Sequence, residues 1–206
     1  MKLILLGAPG AGKGTQAVEI CKRFLIPHVS TGDIFRENIK NGTPIGIVAK
    51  GYIDRGQLVP DDVTVEIVRQ RLSKDDCRNG FLLDGFPRDI HQAKELDKIV
   101  AIDAVIDIDV PYERLLRRIT GRRVCEKCGG SFHVDFIGDS DECPDCGGKL
   151  VQRADDNEKT VAERIKVYDE KTAPLIEYYK AKDVLIKVDG DKAVEKVTED
   201  IFGVLK

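Results

Sequence analysis

Lys2-Leu3-Ile4-Leu5-Leu6-Gly7-Ala8-Pro9-Gly10-Ala11-Gly12-Lys13-Gly14-Thr15 reads as an apolar strand running straight into a glycine-rich loop, with a helical segment over Gln16–Phe24 behind it. Glycines allow successive backbone N–H groups to turn inward around a phosphate, and the helix N-terminus that follows adds positive potential. Lys13 stands where a lysine bridges outer phosphates. The order strand, loop, helix is the context a phosphate-binding loop requires and sets this stretch apart from a plain glycine-rich connection. The loop departs from the general form in one respect: Gly14 follows the lysine, so the expected magnesium-ligating hydroxyl arrives one residue late, at Thr15.

Outward from this stretch, Pro27–Val29, Phe81–Leu83, Ala104–Ile108 and Val184–Val188 are further short apolar, β-rich runs. With Lys2–Leu6 they predict a five-stranded parallel sheet, since strands buried on both faces lose the polar alternation of a half-exposed sheet. Between them, Val63, Ile67, Val68 and Leu72 recur at helical spacing behind Asp61 and Asp62, which suit a helix start. Val161, Ile165, Tyr168, Thr172 and Leu175 form another stripe, bent near Pro174. Alternation of this kind predicts an α/β doubly wound domain with helices on both faces of the sheet. Residues 30–59 and 122–159 do not fit the alternation and read as inserts over the sheet's carboxyl edge. Asp84, directly after the third predicted strand, supplies a carboxylate suited to orient magnesium through water.

A chain of 206 residues buries enough surface for one compact domain carrying inserts. Its 33 basic and 36 acidic residues give a net charge of -3, which argues against a surface built for a nucleic-acid backbone. The first residues carry no leader-like charged region, and no run approaches the roughly 20 apolar residues of a membrane span. A cytoplasmic protein with no membrane partner is the expectation.

The six cysteines divide unevenly: Cys125-x-x-Cys128 and Cys143-x-x-Cys146 form two pairs, each followed by Gly-Gly, while Cys21 and Cys77 sit alone as small buried residues. The spacing predicts a zinc ribbon, in which four thiolates close a tetrahedron and leave the metal structural. A redox dithiol needs one such pair, not two.

The chemistry sharpens at Asp84-Gly85-Phe86-Pro87-Arg88 with Gln92, and at Ser30-Thr31-Gly32-Asp33-Ile34-Phe35-Arg36. Arg36 and Arg88 are forked cations suited to a monophosphate, and Gln92 can offer donor and acceptor together to a base edge. At these residues the chain closely resembles the adenylate kinases, from the phosphate loop to the last helix. The resemblance implies a P-loop NTPase-like core over 1–29, 60–121 and 160–206, a helical NMP-binding insert over 30–59 and a zinc-binding lid over 122–159. It implies reversible transfer from MgATP to AMP, giving two ADP.

It further places Gly10, Ala11, Gly12, Lys13, Gly14, Thr15, Arg118, Arg122, Ser131, Phe132 and the backbone of Lys192 around ATP. Thr31, Arg36, Gln57, Leu58, Val59, Gly85, Phe86, Pro87, Arg88, Gln92, Arg153 and Arg164 fall around AMP. Lys13, Asp84, Arg88, Arg122, Arg153 and Arg164 then carry the catalysis, with Asp155 and Asp156 among the arginines. ATP and AMP together bring about six negative charges and magnesium removes about two, which accounts for an arginine-rich site in an acidic protein. The acceptor phosphate is already ionised, so His28, His91 and His133 are read as structural or surface residues, His133 lying near the metal segment. Rival readings are a kinase of another base preference, a zinc-ribbon ATPase driven by nucleic acid, and a regulatory module without catalysis. A monomer is the default expectation.

Overall fold

A computed structural model describes residues 1–138 and 140–205. The chain opens with β1 (Lys2–Leu6), crosses the phosphate-loop residues, and continues through α1 (Lys13–Phe24) to β2 (His28–Ser30). The strand expected over Pro27–Val29 lies one residue later because Ser30 keeps extended backbone while its hydroxyl accepts from Asp33 N, capping α2 (Thr31–Lys40). A tight turn leads to α3 (Pro44–Ile53), capped by Thr43 with proline in its first turn. Gly46 lets α3 approach α2 closely: a Cβ there would lie 2.2 Å from Asn38 O. Phe35, Ala49, Val59 and Ile67 fill the small core of this insert.

The chain re-enters the sheet through α4 (Asp61–Leu72), β3 (Phe81–Asp84), α5 (Ile90–Ile99), β4 (Ala104–Asp109) and α6 (Tyr112–Thr120). A second insert follows, built of β5 (Arg122–Cys125), β6 (Ser131–His133), the one-turn α7 (Val134–Ile137) and β7 (Leu150–Val151). Its strands pair antiparallel in the order β6-β5-β7. Last come α8 (Glu158–Val167), a π-helical turn over Tyr168–Thr172, α9 (Pro174–Lys180), β8 (Leu185–Asp189) and α10 (Val194–Val204). The π turn is where the helical stripe bends, just before Pro174, which has no N–H to continue it.

The main sheet has five parallel strands in the order β2-β3-β1-β4-β8. Successive β1 side chains serve opposite faces: Leu3 and Leu5 pack with Ile20, Ile106, Leu115 and Ile201, whereas Ile4 and Leu6 pack with Leu83, Val105, Leu96 and Tyr179. That explains the unbroken apolar run. Because β1 pairs with β3 in the register Leu5↔Asp84, the glycine loop and Asp84 leave the sheet side by side at its carboxyl edge. Among the described residues no helix is long and apolar enough to cross a membrane.

Tyr179 is 1% exposed, and its hydroxyl has no hydrogen-bond partner among the described residues. Tyr179→Phe is expected to raise stability by about 1 kcal/mol, since it removes a buried polar group and keeps the ring. Thermal denaturation of the two proteins checks this.

Candidate active site

Gly12 ends the loop in the left-handed region at φ 95 and offers no side-chain cap to α1, so the first N–H groups of that helix point into the loop unclaimed by a cap. Gly10, at φ +85, packs where a Cβ would sit 2.8 Å from Ile119 Cγ1, which holds the loop down on α6. The Lys13 ammonium donates to Gly7 O at 2.6 Å and Ala8 O at 2.9 Å, folding over the loop it belongs to. Although the residue keeps some exposed surface, burial of the ammonium lowers it to about 8; Asp84 pulls the other way, and Arg88, Arg164 and Arg122 push further down. Those same neighbours show how closely the cations gather. His28 Nε2 lies 3.3 Å from Asp84 Oδ2. Burial works to raise the Asp84 carboxyl, but His28 and Lys13 hold it below the usual carboxylate range. Gly14 is exposed and Thr15 half-buried, both in the first turn of α1.

Beside the loop, an open cleft lies between α2, α4 and the end of β3. Thr31, Arg36, Gln57, Leu58, Val59, Gly85, Arg88, Gln92 and Arg164 all line it, together with Asp155. Thr31 Oγ1 donates to Gly85 O at 2.8 Å and Arg88 Nε donates to the same oxygen at 2.8 Å, which fixes the arginine fork over the glycine turn. Burial lowers Arg88 to about 10, with Arg164 adding to the effect and Asp84 opposing it. Phe86 and Pro87 are buried behind this wall and do not line the cleft.

The remaining arginines are held by carboxylates. Arg122 makes a fork with Asp156, Nε to Oδ2 at 2.8 Å and Nη2 to Oδ1. Arg164 Nη1 donates to Asp155 Oδ2 at 2.8 Å and Asp156 Oδ1 at 2.9 Å. Arg153 lies 3.8 Å from Asp33 Oδ1, the carboxylate that also binds Arg36, and its buried Nε has no partner among the described residues. Burial first, then Arg36 and Arg122, lower Arg153 to about 10. An incoming anion relieves this crowding of like charge. Asp156 is 0% exposed. Asp156→Ala is expected to cost about 3 kcal/mol of stability, at the low end for a broken pair because Arg122 and Arg164 keep some water; chemical denaturation measures it.

Arg118 is turned to Gly190 O at 3.0 Å and Asp191 Oδ1 at 3.3 Å, tying α6 to the loop after β8. The Lys192 ammonium points to Asp200. Ser131 is exposed and Phe132 half-buried on β6. Sequence reasoning missed the Asp84 contact of His28, the double role of Asp33, and Asp61, whose Oδ1 accepts from Gln92 Nε2 at 2.7 Å. Only the Asp33–Arg36 pair, three residues apart on α2, has a sequence signal; the other contacts depend on which strands and helices become neighbours.

In the second insert, the four cysteine sulfurs all lie within 4.8 Å of one another. The Cys125–Cys146 and Cys128–Cys143 Sγ separations are 3.5 and 3.7 Å. A tetrahedron with Zn–S bonds of about 2.3 Å has edges of about 3.8 Å, so the set fits zinc. Backbone N–H groups of Lys127 and Cys128 point at Cys125 Sγ, at 3.4 and 3.5 Å, in keeping with a thiolate ligand. His133 is not part of this set: its Nδ1 accepts from Asp135 N and caps α7.

A family model described as "Adenylate kinase" matches residues 5–184. The chain is 57% identical to a protein named adenylate kinase of Clostridium tetani, over 100% of this chain and 98% of the relative. It is 55% identical to that of Caldicellulosiruptor bescii, over 100% and 99%. To that of Alkaliphilus oremlandii it is 55% identical, over 98% and 96%.

Proposed function

Since the chain belongs to the adenylate kinase family and transfers a phosphoryl group from ATP to AMP, we propose that its two anion-binding regions divide the substrates, the loop over 7–15 taking the donor and the cleft at Arg36, Arg88 and Gln92 the acceptor. The observation that carries this division is the meeting of the two regions: Lys13 from the loop and Arg88 and Arg164 from the cleft lie within each other's electrostatic reach. The AMP phosphate oxygen attacks the terminal phosphorus already ionised, so no base is needed and the work is positioning and charge neutralisation. Lys13 and Arg122 face the donor's outer phosphates, Arg36 and Arg88 grip the acceptor, and Arg153 and Arg164 serve the transferring group between them. Gly10, Ala11, Gly12, Gly14 and Thr15 turn backbone N–H groups to the donor, with Arg118, Ser131, Phe132 and the Lys192 backbone toward its nucleoside. Thr31, Gln57, Leu58, Val59 and Gly85 line the acceptor pocket, with Phe86 and Pro87 buried behind its wall. Thr15 and Asp84 would hold magnesium, which would supply further neutralisation of the phosphates. Residues 30–59 and 122–159 act as the two movable inserts over a core of 1–29, 60–121 and 160–206, and the second carries a structural zinc ion.

A coupled assay tests the reading: ADP must form at a rate that requires both ATP and AMP, and ATP turnover of equal size without AMP would reject it. One chain holds both pockets, which supports a monomer, checked by light scattering. A four-thiolate zinc site suits a reducing compartment, which supports the cytoplasm and is checked by fractionation.

A further inference from the structure

Gln92 is 1% exposed at the third position of α5, and every polar contact of its side chain is directional. Its Oε1 accepts from the backbone N–H of Arg88 at 2.8 Å, and its Nε2 donates to Asp61 Oδ1 at 2.7 Å. A backbone N–H can only donate and a carboxylate can only accept, so these two partners fix which end of the amide is which. Turning the amide over would set nitrogen against nitrogen and oxygen against oxygen, at about 1–3 kcal/mol for each mismatched buried group. Asp61 opens α4, while its own neighbour Asp89 caps α5 and accepts from Gln92 N at 2.8 Å, so both helix starts pin the same residue.

A glutamine free to turn over does not distinguish the two kinds of purine edge. It meets an amino edge one way round and an oxo edge the other. We infer that Asp61 is the positioning residue that makes Gln92 selective, locking its amide so that the remaining N–H and the remaining lone pair face the cleft in one order only. A 6-aminopurine presents a ring acceptor beside an exocyclic donor and fits that order. A 6-oxopurine presents a ring N–H beside a carbonyl and meets like with like. Discrimination between the two therefore resides in Asp61 and the Arg88 peptide, with Gln92 as the group they hold. This rests on the reading that the cleft takes the acceptor nucleotide with its base at Gln92.

The test compares kcat/KM for AMP and for inosine monophosphate, the 6-oxo counterpart, in the full-length wild type, Asp61→Asn, Asp61→Ala and Gln92→Leu, with melting temperatures for each. The asparagine side chain can give or take a hydrogen bond and the alanine side chain does neither, so both substitutions remove one of the two restraints on the amide and leave the Arg88 N–H as the other. The AMP preference is expected to fall about tenfold in each, through KM rather than kcat and with a gain for inosine monophosphate that general loosening would not produce. Folded Asp61 variants that keep the wild-type preference, beside a Gln92→Leu protein that has lost it, would overturn the lock and leave the base assignment standing. A Gln92→Leu protein with the wild-type preference would overturn the base assignment itself, and the lock with it.

Discussion

Replacing Lys13 with alanine is expected to lower turnover at saturating ATP and AMP by about three orders of magnitude, ~4 kcal/mol of transition-state stabilisation, without unfolding the protein. The ammonium now rests on the carbonyl oxygens of Gly7 and Ala8, within reach of Asp84 and three arginines. It is desolvated before any phosphate arrives, so its charge needs little rearrangement to act on the group in flight, the condition under which one fixed cation has its largest effect. Stopped or steady-state kinetics at saturating substrates read the loss directly. Turnover within a few-fold of wild type would remove Lys13 from the chemistry.

The same burial fixes how the lysine responds to pH. Its pKa falls from 10.5 to about 8 on folding, with burial as the main cause. The unfolded chain therefore holds the proton more tightly, and stability rises with pH across that window. The cost of burying the charged form is fully present below pH 8, so Lys13→Ala should melt no lower than wild type at neutral pH. For the free enzyme, kcat/KM for ATP should decline above pH 8 as the ammonium discharges. Bound phosphate favours the charged form, so kcat should hold to higher pH. Superimposable profiles for kcat and kcat/KM would count against a lysine that meets the donor.

The sheet is legible in the sequence because its strands are buried on both faces, and a run such as Leu3–Leu6 has no competing explanation. Strand ends are less so: the apolar run carries the expected last strand back to Val184, whereas it spans Leu185–Asp189, since apolar pattern fades where a strand passes into its turn. The second insert announces its metal ligands but not its small sheet, whose strands run to four residues at most, too short to show alternation. Among the candidate site residues, those on the glycine loop can be placed from sequence because neighbouring residues build that site. The carboxylates cannot. Asp33 meets Arg153 from 120 positions away, Asp156 meets Arg122 from 34 positions away, and His28 reaches Asp84 only because β2 lies beside β3. In each case the partner is chosen by topology, which local patterning does not encode.

Stripping the metal from the four cysteines, or replacing Cys143 with serine, is expected to melt the second insert while the main sheet stays folded. The insert's buried apolar residues are Cys125, Cys143 and Leu150, with Phe132, Ile137 and Cys146 partly buried around them, so half of this cluster consists of metal ligands. Ordering a residue costs about 1–2 kcal/mol, and three short strands with so small an apolar centre do not offset that over the whole segment. A four-thiolate zinc site contributes about 10–16 kcal/mol in small domains, enough to reverse the balance. The apolar faces of β1 and β4 share no residue with this cluster and should not respond. Limited proteolysis with mass mapping should then find new cuts confined to 122–151 after chelation, with turnover lost as Arg122 and Arg153 leave their partners. Re-addition of zinc should restore both, and an identical cleavage pattern with and without metal would show that the insert folds by its own packing.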